Sequence, residues 1–381
     1  MRSITAILVA TIVALAATAT QATAAKPHSF IVIGDDGAPT EAVAVSADGS
    51  VVVGSYHTPD GQRAFIWTEA GGRVALDQPA GPTWSWATAV SGDGNTIAGY
   101  AGSSFGTRIG WEGVRWQVGG GMDILTAAGA GVWAAGISAD GATVVGTSQG
   151  VGASDQAMAY RWTAGGGIQP LGTLYDTLPT HSSIAKGISA DGSTIVGNTG
   201  GTEGINSYNV GFRWTQDQGM TSVGGAFSVN AVSRDGQVIV GAVDTAQGFE
   251  AFRWTPADGF DLLGTLGPNQ TSQALGVSGD GRRVVGFVED QSTDLRTAFV
   301  WEEGKGMRLL QDVLVNEFGF ADDLVGWTLT KVYAVSDDGS TLVGRGNFEG
   351  QDLAFRAVFP EPATLTLLAL GGLGVVLRRR N

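Results

Sequence analysis

Apolar and polar positions along this chain follow one pattern that returns about every 45 residues. In its first copy an alternating stretch ends in Val45-Ser46, Asp48-Gly49 interrupts it, and a β-branched run follows through Val51-Val52-Val53 to Gly54. Alternation with period two marks a half-buried strand, and Asp-Gly between two such runs signals a tight hairpin turn. A third run carries an aromatic-x-Trp pattern: Phe65-Ile66-Trp67, Tyr160-Arg161-Trp162, Phe212-Arg213-Trp214, Phe252-Arg253-Trp254 and Phe299-Val300-Trp301, with Val114-Arg115-Trp116 as a degenerate copy. Alternation puts the aromatic and the Trp on one face and the residue between them on the other. A turn containing Gly then leads to a fourth short run, such as Ile168-Gln169-Pro170-Leu171. Each unit therefore predicts four strands, the second ending at its Gly.

The Ser-x-Asp-Gly core occurs seven times, at Asp48, Asp93, Asp140, Asp191, Asp235, Asp280 and Asp338, with spacings of 45, 47, 51, 44, 45 and 58 residues. Four strands per unit of this length predict a β-propeller blade. A β-solenoid is the other periodic architecture, disfavoured because its coils are much shorter. The last copy runs through Ala354 to Phe359 without a fourth strand, and an isolated strand, Ser29-Phe30-Ile31-Val32-Ile33, precedes the first copy. That orphan can complete the last blade and so protect the sheet edges. The expected fold is all-β: a seven-bladed β-propeller closed by an N-terminal strand.

The two ends have a different character. Arg2, the apolar run Ile4 to Ala17 and Ala22-Thr23-Ala24 read as a secretory signal peptide over 1–24. At the other end Pro360-Glu361-Pro362 precedes fifteen apolar residues, Ala363 to Leu377, and then Arg378, Arg379 and Arg380. As a helix that run spans about 22 Å, short of the roughly 30 Å hydrocarbon core, so the expected transmembrane helix is a marginal anchor. The arginines would stay cytoplasmic and everything before Pro360 outside. This tail resembles the bacterial PEP-CTERM sorting signal. The resemblance implies processing by an exosortase at the inner membrane of a Gram-negative cell, and a destination at the cell surface or beyond. Hydropathy alone also allows an ordinary tail anchor. Residues 25–359 are left as the propeller. Its units resemble the extracellular HAF repeats of such proteins, through the Ser-x-Asp-Gly-x-x-Val-Val-Gly core, the Ala-Phe-x-Trp strand and Gly326-Trp327-Thr328-Leu329. No copy has the His before Ala-Phe; Arg63, Glu250, Thr297 and Leu353 stand there. The resemblance implies a location and brings no activity.

Composition narrows the chemistry. The chain has no cysteine, so core and hydrogen bonds must hold an exported domain without disulfides. A net charge of −14 repels nucleic acid, and anionic polysaccharide too unless cations intervene. The three histidines, His28, His57 and His181, are not at metal-ligand spacing. A catalytic Ser–Asp pair should be singular, whereas here the pair stands in every unit. Asp in a hairpin turn ordinarily accepts backbone hydrogen bonds, and Gly supplies positive φ. Calcium is the alternative for these aspartates, although the ladder of an EF-hand loop is missing. No catalytic set, metal or cofactor is expected. The Arg before the repeat Trp, present in four of the six Trp-bearing copies, is expected to pack between blades.

Function is expected on the face that carries the segments of variable length: 75–87, 100–113, 147–158, 174–185, 198–210 and 302–331. Two positions per copy sharpen this. Five residues before each repeat Ser stand Glu41, Trp86, Trp133, Ile184, Ser228, Gln273 and Lys331; three before stand Val43, Thr88, Ala135, Lys186, Asn230, Leu275 and Tyr333. Small residues beside them, such as Ala87, Ala89, Ala134 and Gly136, suit packing near the axis. The varied positions should surround the channel mouth, and Trp86, Trp133, Glu41, Lys186, Asn230, Gln273, Lys331 and Tyr333 are the candidate ligand-binding residues. Trp86 and Trp133 hold equivalent places on consecutive blades, which predicts two indoles side by side. They belong, with Trp84, Trp111 and Trp327, to the tryptophans outside the repeat pattern. Such residues suit sugar stacking or a protein hot spot, with buried packing as the alternative. One function is a non-catalytic surface or matrix protein that binds extracellular polysaccharide or an envelope protein. The other is a secreted glycoside hydrolase or polysaccharide lyase. A glycosidase needs two carboxylates about 5–10 Å apart. The loop acids Glu41, Asp77, Asp176, Glu317, Asp322 and Asp323 are available, but nothing in the sequence pairs them. The fold by itself argues for no activity, which favours the binding reading.

Overall fold

The structure, a computed structural model, describes residues 29–359 apart from 35, 82–83, 104–110, 126–130, 150–155, 179 and 204–205. The expected signal peptide and the tail from Pro360 lie outside that range. Among the described residues no helix is long and apolar enough to cross a membrane, so the expected tail helix finds no support there. By proximity the chain divides into one unit of Ser29–Ala357 and another of residues 1–28 and 358–381. The first carries the fold.

Seven four-stranded antiparallel sheets form a seven-bladed β-propeller. In six blades the strands follow chain order. In the seventh, Ser29–Ile33 pairs with the C-terminal strand Gln351–Val358 and becomes the outermost strand, as the missing fourth strand required. Phe30 stacks on Phe355 at 5.5 Å and meets Trp327 edge-on at 5.4 Å, so side chains as well as the ladder hold the closure.

The Ser-x-Asp-Gly turns are built alike. Each Ser hydroxyl donates to the Asp carboxylate at 2.5–2.7 Å. The same oxygen accepts the amide two residues on at 2.8–3.0 Å. Each Gly takes φ between 69° and 75°, where a Cβ would be strained. These aspartates therefore serve the turn. The turns also bond to one another around the axis. Ala47 N–H donates to the Gly92 carbonyl, Gly92 to Ala139, Ala139 to Ala190 and Ala190 to Arg234, at 2.9–3.1 Å. Gly279 donates to Asp337, and Asp337 back to Ala47, at 3.0 and 3.2 Å. The Arg234 guanidinium reaches the Asp337 carboxylate two blades away.

Between blades the pattern aromatics form the core. Phe65, Tyr160, Phe212, Phe252, Phe299 and Phe355 are fully buried, with Trp67, Trp116, Trp162, Trp214 and Trp301 packed into the same layer. Trp254 is only half-buried. The Arg of the third strand does join neighbouring blades. Arg115, Arg253 and Arg356 donate through Nε to the carbonyls of Gly141, Gly281 and Gly49 on the next blade at 2.9–3.1 Å. Arg115, Arg161 and Arg356 also lie over Trp162, Trp214 and Trp67 at 5.6–6.0 Å, a cation–π contact.

Two expected loops are regular structure instead. Most of 198–210 is strand, because Thr194–Glu203 pairs with Asn206–Thr215 as a long hairpin. Segment 302–331 holds the strand Gly306–Leu309 and a helix, Leu310–Phe318. Leu310, Val313 and Leu314 bury one side of the helix, and Gly319 ends it at φ 75°. Nine residues are too few for a helix to stand alone, so packing sustains it.

Candidate functional site

Every inner strand carries a β-bulge at the same place. In blade one Ala42 pairs with Gly54 and Ala44 with Val53, which leaves Val43 outside the ladder. The same slip frees Thr88 and Ala135 in blades two and three. It frees Lys186 and Asn230 in blades four and five. In blades six and seven it frees Leu275 and Tyr333. A bulge bends its strand and re-aims a side chain. All seven of these residues line one cavity on the axis, of about 850 Å³.

The repeat glycine is the counterpart of the bulge. A Cβ on Gly54 would lie 1.9 Å from the Glu41 carbonyl oxygen, and one on Gly241 would lie 1.8 Å from that of Ser228. At Gly99, Gly146, Gly197, Gly286 and Gly344 the figure is 1.9–2.1 Å. No side chain fits there, so Val-Val-Gly does not end the second strand as expected. The strand runs on, to Thr58 in blade one and to Gly102 in blade two. Gly136, Gly187 and Gly276 allow close contact between inner strands: a Cβ on Gly276 would stand 2.9 Å from the Tyr333 carbonyl of the next blade.

The five-before positions divide. Trp86, Trp133 and Ile184 reach the cavity, whereas Glu41, Gln273 and Lys331 are not among its lining residues. Glu41 is drawn aside by Arg345 at 2.6 Å and accepts the Tyr333 hydroxyl at 3.2 Å. Lys331 lies over the rings of Phe287 and Tyr333 at 5.1 and 5.8 Å. Gln273 sits opposite Phe287 in the ladder. The repeat position alone puts these three at the mouth; partners on other strands, which the sequence does not display, draw Glu41 and Lys331 aside.

The aromatic wall is larger than the expected pair of indoles. Trp86 stacks on Trp84 at 5.8 Å and on Tyr100 at 5.3 Å, and lies tilted against Trp111 at 5.2 Å. Trp133 extends the wall from blade three. Tyr100 and Trp111, from the second strand and the connection after it, line the same cavity, outside the two positions per copy that the repeat singles out. Trp327 is buried against Phe30 and Phe348 and belongs to the ring closure.

Most polar groups around the axis are occupied. Thr88 donates to the Ala134 carbonyl at 3.0 Å, and Asn230 to that of Ala274 at 2.8 Å while its own oxygen accepts Ser228. Burial, with the charge of Glu41 adding to it, pushes the Tyr100 and Tyr333 phenols up, so both stay protonated at neutral pH. Lys186 has no hydrogen-bond or ion-pair partner among the described residues. It meets solvent through the open mouth, yet the surrounding walls strip enough hydration to hold its pKa below the usual lysine range. The described lining contains no Asp, Glu or His. Among the described residues no three His, Cys, Asp or Glu side chains are grouped to hold a metal. A smaller groove of about 400 Å³ runs beside His181, but one blade supplies most of its wall.

Residues 360–380 match the PEP-CTERM protein-sorting motif. The chain carries an export tail. Signals of this kind are processed by an exosortase and mark an exported protein held transiently at the membrane. No curated protein matches the sequence. Solved structures match the fold. The β-propeller domain of the Trilobed protease from Pyrococcus furiosus, which has an open velcro topology, is 12% identical with a TM-score of 0.55, over 84% of this chain and 93% of that one. An oligogalacturonate lyase from Vibrio parahaemolyticus is 11% identical with a TM-score of 0.54, over 88% and 98%. A prolyl endopeptidase is 12% identical with a TM-score of 0.55, over 84% of this chain and 50% of its own. At such identity the likeness is one of fold alone.

The described lining thus presents a concave aromatic surface, the Lys186 ammonium and no carboxylate.

Proposed function

We propose that this is an exported, non-catalytic binding protein that takes carbohydrate of the cell envelope or extracellular matrix at its channel mouth. In this reading the leader 1–24 is removed, an exosortase processes the tail 360–381, and the propeller 25–359 acts at the cell surface or beyond it. One observation carries the reading: seven bulges turn seven unlike residues into one cavity, walled on one side by Trp86, Tyr100, Trp111 and Trp133. A volume of about 850 Å³ suits a small ligand or the end of a chain. Aromatic faces stack on the apolar faces of sugars, while the polar edges stay wet. The lack of a carboxylate in the described lining speaks against a glycosidase site at this mouth.

The test is a titration of the purified protein with envelope polysaccharides and short oligosaccharides, followed by tryptophan fluorescence, with a product assay alongside. Saturable binding that falls at least tenfold in the Trp86→Ala, Trp133→Ala double variant is expected, as for hot-spot residues worth about 2 kcal/mol or more together. New reducing ends or unsaturated products would make it an enzyme. Binding that survives the double variant would move the site elsewhere.

A further inference from the structure

The carbohydrate reading leaves Lys186 unexplained. Of the seven bulged residues Val43, Ala135 and Leu275 are apolar, and Thr88, Asn230 and Tyr333 donate their hydrogens to protein acceptors. Among the described bulged residues Lys186 alone brings a charged donor, three N–H groups on one ammonium with no described partner, into the cavity. An ammonium that lines a cavity is complemented when an anion meets it. No described protein group does so.

We propose that the channel mouth binds a singly charged acidic sugar, its anionic group on the Lys186 ammonium and its ring against the wall of Trp86 and Trp133. This rests on the carbohydrate reading and narrows the ligand within it. Lys186 belongs to blade four, next to Trp133 on blade three and Trp86 on blade two, so charge and stacking surface occupy one sector. Glu41, the acid that approaches the ring, is already held by Arg345 and Tyr333, and the described lining presents no other carboxylate to repel an anion. A single ammonium, with no guanidinium fork beside it, balances one negative charge and fits a carboxylate or a sulfate ester better than a doubly charged phosphate. The net charge of −14 opposes a long polyanion, so the ligand is a short acidic sugar or the acidic end of a chain.

The test uses the full-length protein in mild detergent, with tryptophan fluorescence as readout and glucose, glucuronate and glucose 6-sulfate as probes. An anionic sugar should bind about tenfold more tightly than glucose, the scale of a charge-assisted hydrogen bond, and the two anions report which group is preferred. Lys186→Met should bring anionic and neutral sugars within about twofold of each other, by loss of that bond. The same change should leave the melting temperature about unchanged, because the exposed ammonium has no described protein partner to lose. Lys186→Arg should keep most of the preference. Equal binding of glucose and both anions by the wild type would overturn the proposal and leave the carbohydrate reading standing. A preference that persists in Lys186→Met would overturn it as well, and binding of none of the three would end both.

Discussion

The two ends of the central channel are made by the same seven inner strands, yet their residues behave in opposite ways. At the turn end every copy repeats Ser, Asp and Gly, and the backbones bond to one another around the axis. Three residues earlier the bulged positions carry Val, Thr, Ala, Lys, Asn, Leu and Tyr, no two alike. The ladder explains the contrast. A paired residue must suit its cross-strand neighbour, and a turn residue must suit the turn. A bulged residue has no partner in the ladder and borders the cavity, so the pairing leaves its identity open, although Thr88, Asn230 and Tyr333 still bond to acceptors on other strands. Scaffold and site are thus separated within one strand, and the repeat glycine opposite keeps the separation in place.

The contrast can be broken most severely at the ring closure. Deleting residues 29–33 exposes the edge of Gln351–Val358 and should abolish the single cooperative melt or cause aggregation. Calorimetry with gel filtration reads this; a monomer with an unchanged melt would mean that closure is not what holds the blades. Next comes the shared core. Trp214→Ala should cost about 3–5 kcal/mol in urea unfolding, and Trp254→Ala less, because Trp254 is half-buried. The bulge itself offers the sharpest pairing. Gly241→Ala forces a Cβ onto a carbonyl and should cost about 1–3 kcal/mol or more, whereas Val43→Thr, at a bulged position, should stay within about 0.5 kcal/mol. Equal losses would mean that bulged residues serve the scaffold after all. The smallest effect concerns the turns. Hydrogen bonds from Ser91, Ser138 and Ser189, ahead of those from backbone amides, hold the carboxyls of Asp93, Asp140 and Asp191 below their ordinary value of 3.8. Groups depressed in this way stabilise the fold above that value, and the benefit is lost as pH falls through the folded pKa. The melting temperature should therefore drop below about pH 4, and less steeply in Ser91→Ala.

The blades, their number and the closing strand were legible because each rests on a pattern that repeats, or on its one visible gap. The buried face of the third strand followed from alternation alone. The bulges were not legible in the same way. A bulge is an event between two strands, and its trace in the sequence is one glycine, which reads equally well as the end of a strand. That Glu41, Gln273 and Lys331 do not line the cavity was hidden for a related reason: Arg345 and Phe287, which draw Glu41 and face Gln273 and Lys331, stand on other strands. The helix Leu310–Phe318 did show apolar residues at helical spacing, but Leu309 provides no side-chain cap to announce it.

The pairing of Ser29–Ile33 with Gln351–Val358 also sets an order of events. The first strand of the propeller has no partner until the last has been made, and contacts between residues so distant in sequence form slowly. Until Phe355 arrives, Phe30 has no ring to stack on, and the array keeps two raw edges. A chain cut short at any earlier point can never close. The fold thus tells complete from incomplete copies of itself, a proofreading step performed by topology.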